Sequence, residues 1–260
     1  MPIKIVTWNV NSVRARHDRL VALLARHEPD ALCLQELKLE EEKFPWDSVK
    51  AAGYHAVCLG QKSYNGVAIL SREPAEDVRL GMGDAVDDPQ ARLISARVRG
   101  IRVFSAYFPN GGEPTSPKYE YKLAWMDRLA RKLREEHAPD EPLALTGDFN
   151  VAPTDLDVKN VDKWADTVLC RPDVRDALAK IRAFGLVDTL RRLKPDEGNL
   201  YSFWDYQMLG FPKNDGLRID HVDVTEPLAK RLLEVRIDRE ERKGKQPSDH
   251  APVIATFADG

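Results

Sequence analysis

Apolar runs that stop on a polar residue recur along this chain. Residues 3–10, IKIVTWNV, read as a strand ending at Asn9. Residues 31–36, ALCLQE, do the same at Glu36. YHAVCLG and NGVAILSR predict a hairpin across 54–72 with its turn near KSYNG, and 91–100 and 101–110 predict a second strand pair. LALTGDFN, YSFWDY, GLRIDHVDVT, LLEVRID and APVIATF read as further strands. Helical spacing marks fewer segments. One covers 13–27, with Ser12 as the expected cap and Leu20, Leu23 and Leu24 on one face. A long one follows Ser116, with Leu123, Met126, Ala130 and Leu133 at helical spacing, and shorter ones fall near 173–184 and 187–193.

Many strands with few helices, arranged in two similar halves, do not fit the regular alternation of a doubly wound sheet. They predict two packed β-sheets with helices on the outer faces, in one domain over residues 1–260. With 43% hydrophobic residues in 260 there is ample material for a core, and no Pro/Gly/Ser-rich linker or repeat divides the chain. No apolar run approaches the ~20 residues of a membrane span. The start, MPIKIVTWNV, enters a strand pattern at once, so no targeting segment and a cytoplasmic location are expected. The cysteines, Cys33, Cys58 and Cys170, are widely spaced and read as buried free thiols. The net charge of −3 neither announces nor excludes a polyanionic partner, since phosphate contacts need a local basic face and not a basic total.

The strand ends carry the chemistry. GDFN places Asp148 and Asn150 after the run at 143–145; taken alone, Gly, Asp, Asn and the following proline describe a turn. WNVN, however, offers Asn9 and Asn11, LQELK offers Gln35, Glu36 and Lys38, AYFPNG offers Tyr107 and Asn110, RIDHV offers Asp220, and PSDHAPV offers Asp249 and His250. Each has an ordinary structural explanation as cap, turn or solvated charge. If the strands bring those ends to one side, Asn9, Glu36, Tyr107, Asp148, Asn150, Asp220, Asp249 and His250 share one pocket. His221 is read as structural, because it points to the other side of its strand from Asp220. Carboxylates and amides without a cysteine or histidine cluster form a hard oxygen environment that favours Mg²⁺, with Mn²⁺ as substitute, over zinc. A divalent metal, a carboxylate that can polarise water and a histidine that can donate to a phosphate oxygen describe phosphodiester hydrolysis.

TWNVNSVRAR, LCLQELK, YNGVAILSR, AYFPNG, TGDFNVAPTDLDV, SFWDYQ, GLRIDHV and SDHAPV, in this order, resemble the motifs of the exonuclease III family of apurinic/apyrimidinic endonucleases. That family lies within the endonuclease/exonuclease/phosphatase superfamily, and the resemblance covers essentially the whole chain. It implies a DNase I-like four-layered α/β sandwich. It implies a monomeric DNA-repair nuclease that cuts duplex DNA 5′ to abasic sites and processes 3′ ends. The core motifs alone also permit a phosphatase or phosphodiesterase acting on another phosphate ester.

Carried onto this sequence, the resemblance implies that Glu36 binds Mg²⁺, with Asn9, Asp148, Asn150 and Asp249 close to the metal. Asp148 would act on the attacking water, and Asn150 on the phosphate or that water. His250, oriented by Asp220, and Tyr107 would contact phosphate oxygens. Asn11, Lys38 and Arg92 would lie along the DNA, and Phe203, Trp204 and Leu217 would wall the pocket for an extruded abasic sugar. Residue 203 is Phe where some bacterial members carry Trp, and DHVDV follows the RID motif where members often have an apolar strand.

Overall fold

The computed structural model describes residues 1–260. Twelve strands form two six-stranded sheets. In chain order they are β1 (Ile3–Asn9), β2 (Ala31–Gln35), β3 (His55–Leu59), β4 (Val67–Ser71), β5 (Glu76–Leu80) and β6 (Leu93–Val98). The second half holds β7 (Ile101–Tyr107), β8 (Leu143–Asp148), β9 (Leu186–Asp188), β10 (Asp220–Thr225), β11 (Leu232–Ile237) and β12 (Val253–Phe257). One sheet has the order β11-β12-β1-β2-β4-β3 and the other β5-β6-β7-β8-β10-β9. Each has a single parallel pair at its centre, β1 with β2 and β7 with β8, and antiparallel pairs elsewhere. The sheets do not divide the chain into halves: β11 and β12, from its end, complete the sheet of β1–β4.

Three apolar layers alternate with the secondary structure. Ile5, Cys33, Ile69, Val103, Val222 and Ala255 belong to the layer between the sheets. Val6, Trp8 and Leu32 pack with Leu20, Leu23 and Leu24 of the helix His17–His27 on one outer face. Phe104, Leu145 and Ile219 pack with the helices Pro117–Glu136 and Pro172–Arg182 on the other. No helix is long and apolar enough to cross a membrane.

The two-residue strand period positions the functional end. Side chains alternate between faces, so Ile3, Ile5, Thr7 and Asn9 share one face of β1, and Ala31, Cys33 and Gln35 one face of β2. In the other sheet the same holds for Val103, Ser105 and Tyr107 of β7 and for Ala144, Thr146 and Asp148 of β8. All four inward faces change from apolar to polar toward the same end. Beneath that end Gln35 Nε2 donates to Thr7 Oγ1 at 3.0 Å and to Ser105 Oγ at 3.0 Å, satisfying groups that burial would otherwise penalise. Gly147 allows β8 to approach β7: a Cβ there would stand 1.8 Å from the Ala106 carbonyl oxygen, and its φ is +146°.

Some expectations are not met. Ser12 does not cap the first helix, which starts at His17 with Arg16 at the N-cap position and no side-chain cap. Leu123 is only partly buried, because the buried stripe of the long helix runs through Tyr119, Lys122, Met126, Leu129 and Leu133. The segment 187–193 divides into β9 and a short helix, Thr189–Leu193. YSFWDY is no strand of either sheet; Phe203 makes isolated bridges to Leu217 and His250. β5, polar and mostly exposed, was not foreseen.

A buried ion network ties the loop after β8 to β10. Arg218 donates from Nε to Asp157 at 2.7 Å and from Nη2 to Asp188 at 2.8 Å. Burial works against the Asp157 carboxylate, but Arg218 and Arg191 outweigh it and hold its pKa below the ordinary value. A carboxylate depressed on folding contributes stability above its unfolded pKa of about 4, and loses it as pH falls through the folded value. Asp157→Asn is therefore expected to cost about 3–5 kcal/mol at neutral pH. The gap in Tm from wild type should narrow in acid. Melting curves at neutral and acid pH check this; an equal gap at both would show that the charge of Asp157 does not matter.

Candidate active site

Strand ends from both sheets converge where the inward faces turn polar. Asn9, at the end of β1, donates from Nδ2 to Glu36 Oε1 and to Asp148 Oδ2, both at 2.9 Å. Tyr107, at the end of β7, donates its hydroxyl to the same Glu36 Oε1 at 2.9 Å. Lys38 Nζ lies 2.8 Å from Glu36 Oε2 and donates to Asn11 Oδ1 at 2.6 Å. Asn150 donates from its backbone to Asp148 Oδ1 at 2.9 Å and from Nδ2 to Asp148 Oδ2 at 3.2 Å. Asp220, at the start of β10, accepts from His250 Nδ1 at 2.8 Å, and His250 Nε2 faces Asp148 Oδ2 at 3.8 Å.

The backbone departs from ordinary geometry at this rim. Asn11, Ser12, Glu36, Lys38 and Asn150 all have positive φ, between +43° and +86°. Non-glycine residues rarely hold that conformation unless their surroundings impose it, and it concentrates at functional sites. Glu36 and Lys38 are turned away from strand β2 in this way, which lets both side chains address the same point.

Electrostatics divide the titratable groups into distinct roles. Burial opposes the charge on Glu36, yet hydrogen bonds from Asn9 and Lys38 more than offset it and hold its pKa below the ordinary value. Burial, with Asp220 and Glu36 nearby, raises Asp148 to about 7 against the opposing pull of His250. Burial also opposes a charge on His250, but Asp220 and Asp148 outweigh it and lift the imidazole to about 10. His250 is thus an imidazolium at neutral pH, with an N–H on each ring nitrogen. Burial and the charges of Glu36 and Asp148 push Tyr107 well up, so its hydroxyl stays a donor.

The donors fit a hard divalent cation. Carboxylate oxygens of Glu36 and Asp148 and a ring nitrogen of His250 lie within 4.8 Å of one another, and the carboxylates are the ones free to ligate, since an imidazolium has no lone pair. Two carboxylate oxygens converge on one amide of Asn9, amide oxygens stand beside them, and no thiol is present. Asp249 is not in that cluster; it is held beside it by Asn11 Nδ2, 2.9 Å from Asp249 Oδ1. A second acidic cluster, Asp188, His221 and Asp223, is already filled by Arg218 and Arg182. His221 there binds Arg218 and the Val151 carbonyl, turned away from Asp220 as the strand period requires.

Of the residues expected along the substrate, Arg92 lies over the Tyr107 ring at 4.8 Å and donates to Gln90 Oε1 at 2.8 Å. Phe203 packs against the His250 ring, with centroids 4.9 Å apart. Trp204 does not line the site. It is fully buried in a small core with Tyr201 and Ala251, edge-on to Phe211, because adjacent residues of the extended segment point oppositely. Leu217 is buried as well, in the outer core against which Phe203 packs. Two residues, Ser202 and Lys122, were missed, and Asn110, noted at its strand end, was left out of the pocket. Ser202 Oγ donates to Asp220 Oδ2 at 2.6 Å and accepts from the Asp220 backbone at 3.0 Å, fixing the partner of His250. Asn110 donates to Asn150 Oδ1 at 3.1 Å, and Lys122 binds the Asn150 carbonyl at 2.7 Å. The signal for Asn110 was its place after the β7 run, like the other strand-end amides; Ser202 had none.

A metal-accepting carboxylate pair, a charged histidine braced by an aspartate and amides at the mouth of a two-sheet sandwich define a class of phosphoester hydrolase. The chain belongs to the Endonuclease/Exonuclease/phosphatase family, whose model matches residues 6–250. Within it, Exodeoxyribonuclease III of Haemophilus influenzae is 35% identical over 98% of this chain and 100% of the relative. An AP endonuclease from Archaeoglobus fulgidus superposes with a TM-score of 0.96 at 40% identity, covering 99% of this chain and 100% of that one. A 3′-5′ exonuclease from Neisseria meningitidis superposes at 0.95 with 43% identity and the same coverage.

Proposed function

We propose that this protein is a Mg²⁺-dependent DNA-repair nuclease that hydrolyses the phosphodiester 5′ to abasic sites in duplex DNA and also trims and cleans 3′ ends. The convergence of Glu36, Asp148 and His250 on one point carries this reading. Full-length similarity to repair nucleases supports it. All the groups come from one chain, in keeping with action as a monomer.

The bound cation supplies charge neutralisation at the phosphate, with Glu36 and the neighbouring Asn9, Asp148, Asn150 and Asp249 as the residues that would hold it. The remaining work falls to side chains. Asp148, its proton affinity raised by burial, orients the attacking water and accepts its proton. Asn9 and Asn150 fix the carboxylate for that task. His250 presents a charged Nε2–H to a phosphate oxygen, and Asp220 holds the ring from behind through Nδ1. Tyr107 supplies a second donor, this one neutral, and Lys38 and Arg92 would face the DNA backbone. An abasic sugar leaves no base to unstack, so it can enter a small site at less cost than an intact nucleotide.

Phe203 beside His250 is the wall such a sugar would meet. Phe203→Ala is expected to lower the ratio of abasic-site cleavage to cleavage at intact nucleotides by about tenfold or more. Both substrates are assayed at one salt concentration, because phosphate contacts make affinity salt-dependent. An unchanged ratio would make Phe203 a packing residue only. The function itself is tested by offering an abasic-site duplex and a soluble inositol phosphate, each with and without EDTA. Metal-dependent cleavage of the duplex alone is expected; turnover of the inositol phosphate alone would place the chain among the phosphatases of the family.

A further inference from the structure

The long helix Pro117–Glu136 carries a lysine on its buried face. Lys122 is fully buried on the stripe that holds Met126, Leu129 and Leu133, and it makes no salt bridge. Its ammonium donates to three backbone carbonyls, Asn110 at 3.1 Å, Asn150 at 2.7 Å and Val168 at 2.7 Å. Burial lowers the pKa of the amine to about 7 against the pull of Asp148, and three carbonyl acceptors match the three donors of its ammonium form. Gly111 leaves room for its stem: a Cβ there would stand 3.0 Å from Lys122 Cδ.

Lysines are almost never fully buried without a partner charge, because the interior penalises the ion and an apolar side chain would fill the same space at no such cost. What this charge secures is therefore to be sought in the groups it binds. Two of the three carbonyls belong to the site. Asn150 sits in a left-handed turn straight after Asp148, with φ of +50°. Asn110 ends the segment after β7 and donates its own amide to Asn150 Oδ1. One ammonium thus fastens the loops after β7 and β8 to each other from beneath, and to the 168 segment behind them.

We propose that Lys122 is a positioning residue for phosphodiester hydrolysis, holding the main chain of Asn110 and Asn150 so that the Asn150 amide, braced by Asn110, keeps Asp148 placed to act on water. This rests on the reading of the site as a DNA hydrolase. A helix lysine in this role acts only through the residues it holds, so its loss acts on turnover more than on substrate binding.

The test is steady-state cleavage of an abasic-site duplex by wild type, Lys122→Met, Lys122→Gln and Leu129→Ala, well below the Tm of each. Leu129 lies on the same buried stripe, its apolar side chain makes no hydrogen bond to the site loops, and Leu129→Ala destabilises the helix. Lys122→Met and Lys122→Gln should each lose about 10- to 100-fold in kcat, as removal of groups that orient a metal site does. KM should move by less than about threefold, and Leu129→Ala should keep wild-type kcat. A kcat within about twofold of wild type in either Lys122 variant would overturn the proposal. So would an equal loss in Leu129→Ala, or failure of both Lys122 variants to fold, which would assign the lysine to stability. An inactive wild type would overturn the reading of function as well, so the two failures are distinct.

Discussion

Asp148→Asn is expected to lower kcat by about a hundred- to ten-thousand-fold, the range typical of losing a positioned general base. Duplex affinity should hold or tighten. The residue is buried, bound by Asn9 and Asn150, and faces His250 at 3.8 Å. Its pKa is raised to about 7 chiefly by burial, which gives it a proton affinity that an ordinary aspartate lacks. An amide of the same shape keeps the packing and can neither take a proton nor orient the water in the same way. It also removes a negative charge from the place where a phosphate must come to rest, so repulsion falls. Single-turnover rates and equilibrium binding to an uncleaved abasic-site duplex separate the two effects. If affinity fell in step with rate, Asp148 would be a ground-state contact and the role given to it wrong.

Glu36→Ala should raise the Mg²⁺ concentration for half-maximal activity by about 100-fold or more, since it removes a direct ligand where even indirect supports cost 10- to 100-fold. Glu36 is the carboxylate on which Asn9, Tyr107 and Lys38 all converge, and those contacts keep it ionised. Titration calorimetry reads metal affinity without turnover and should show the same loss. Exhaustive chelation should abolish wild-type cleavage. Because Glu36 is held at the rim and not in a core, its loss should leave Tm nearly unchanged. A large fall in Tm with unaltered metal affinity would make it a structural charge instead.

Much of this was legible because two physical rules coincide. Buried strands alternate with period two, so an Asn, Asp or Tyr that continues an inward-facing register must have a reason to be there. Asn9, Tyr107 and Asp148 each end such a register, and His221 could be set aside on the same rule before any geometry was known. The conclusions that failed did so where that rule was silent or not followed. Strand β5, EDVRL, lies on an exposed edge and shows no apolar alternation to read. YSFWDY has strand composition, but its backbone bonds are divided between Leu217 and Asp249, so it braces the SDH segment and joins no sheet. Trp204 was grouped with Phe203 by the family resemblance; neighbours in an extended segment face opposite ways, and Trp204 is the one that lies in the core. Lys122 has the appearance of a solvated helix lysine until its spacing from Met126 and Leu129 is counted, which places it inside.

The most direct measurement is cleavage of an abasic-site duplex in heavy-oxygen water, with both product ends analysed by mass spectrometry. Attack of an Asp148-oriented water on phosphorus should leave an unlabelled 3′-hydroxyl and one solvent-derived oxygen in the 5′-deoxyribose phosphate, only when Mg²⁺ is supplied. Products with an unsaturated 3′ sugar and no incorporated label, formed equally in EDTA, would show elimination in place of hydrolysis and contradict it.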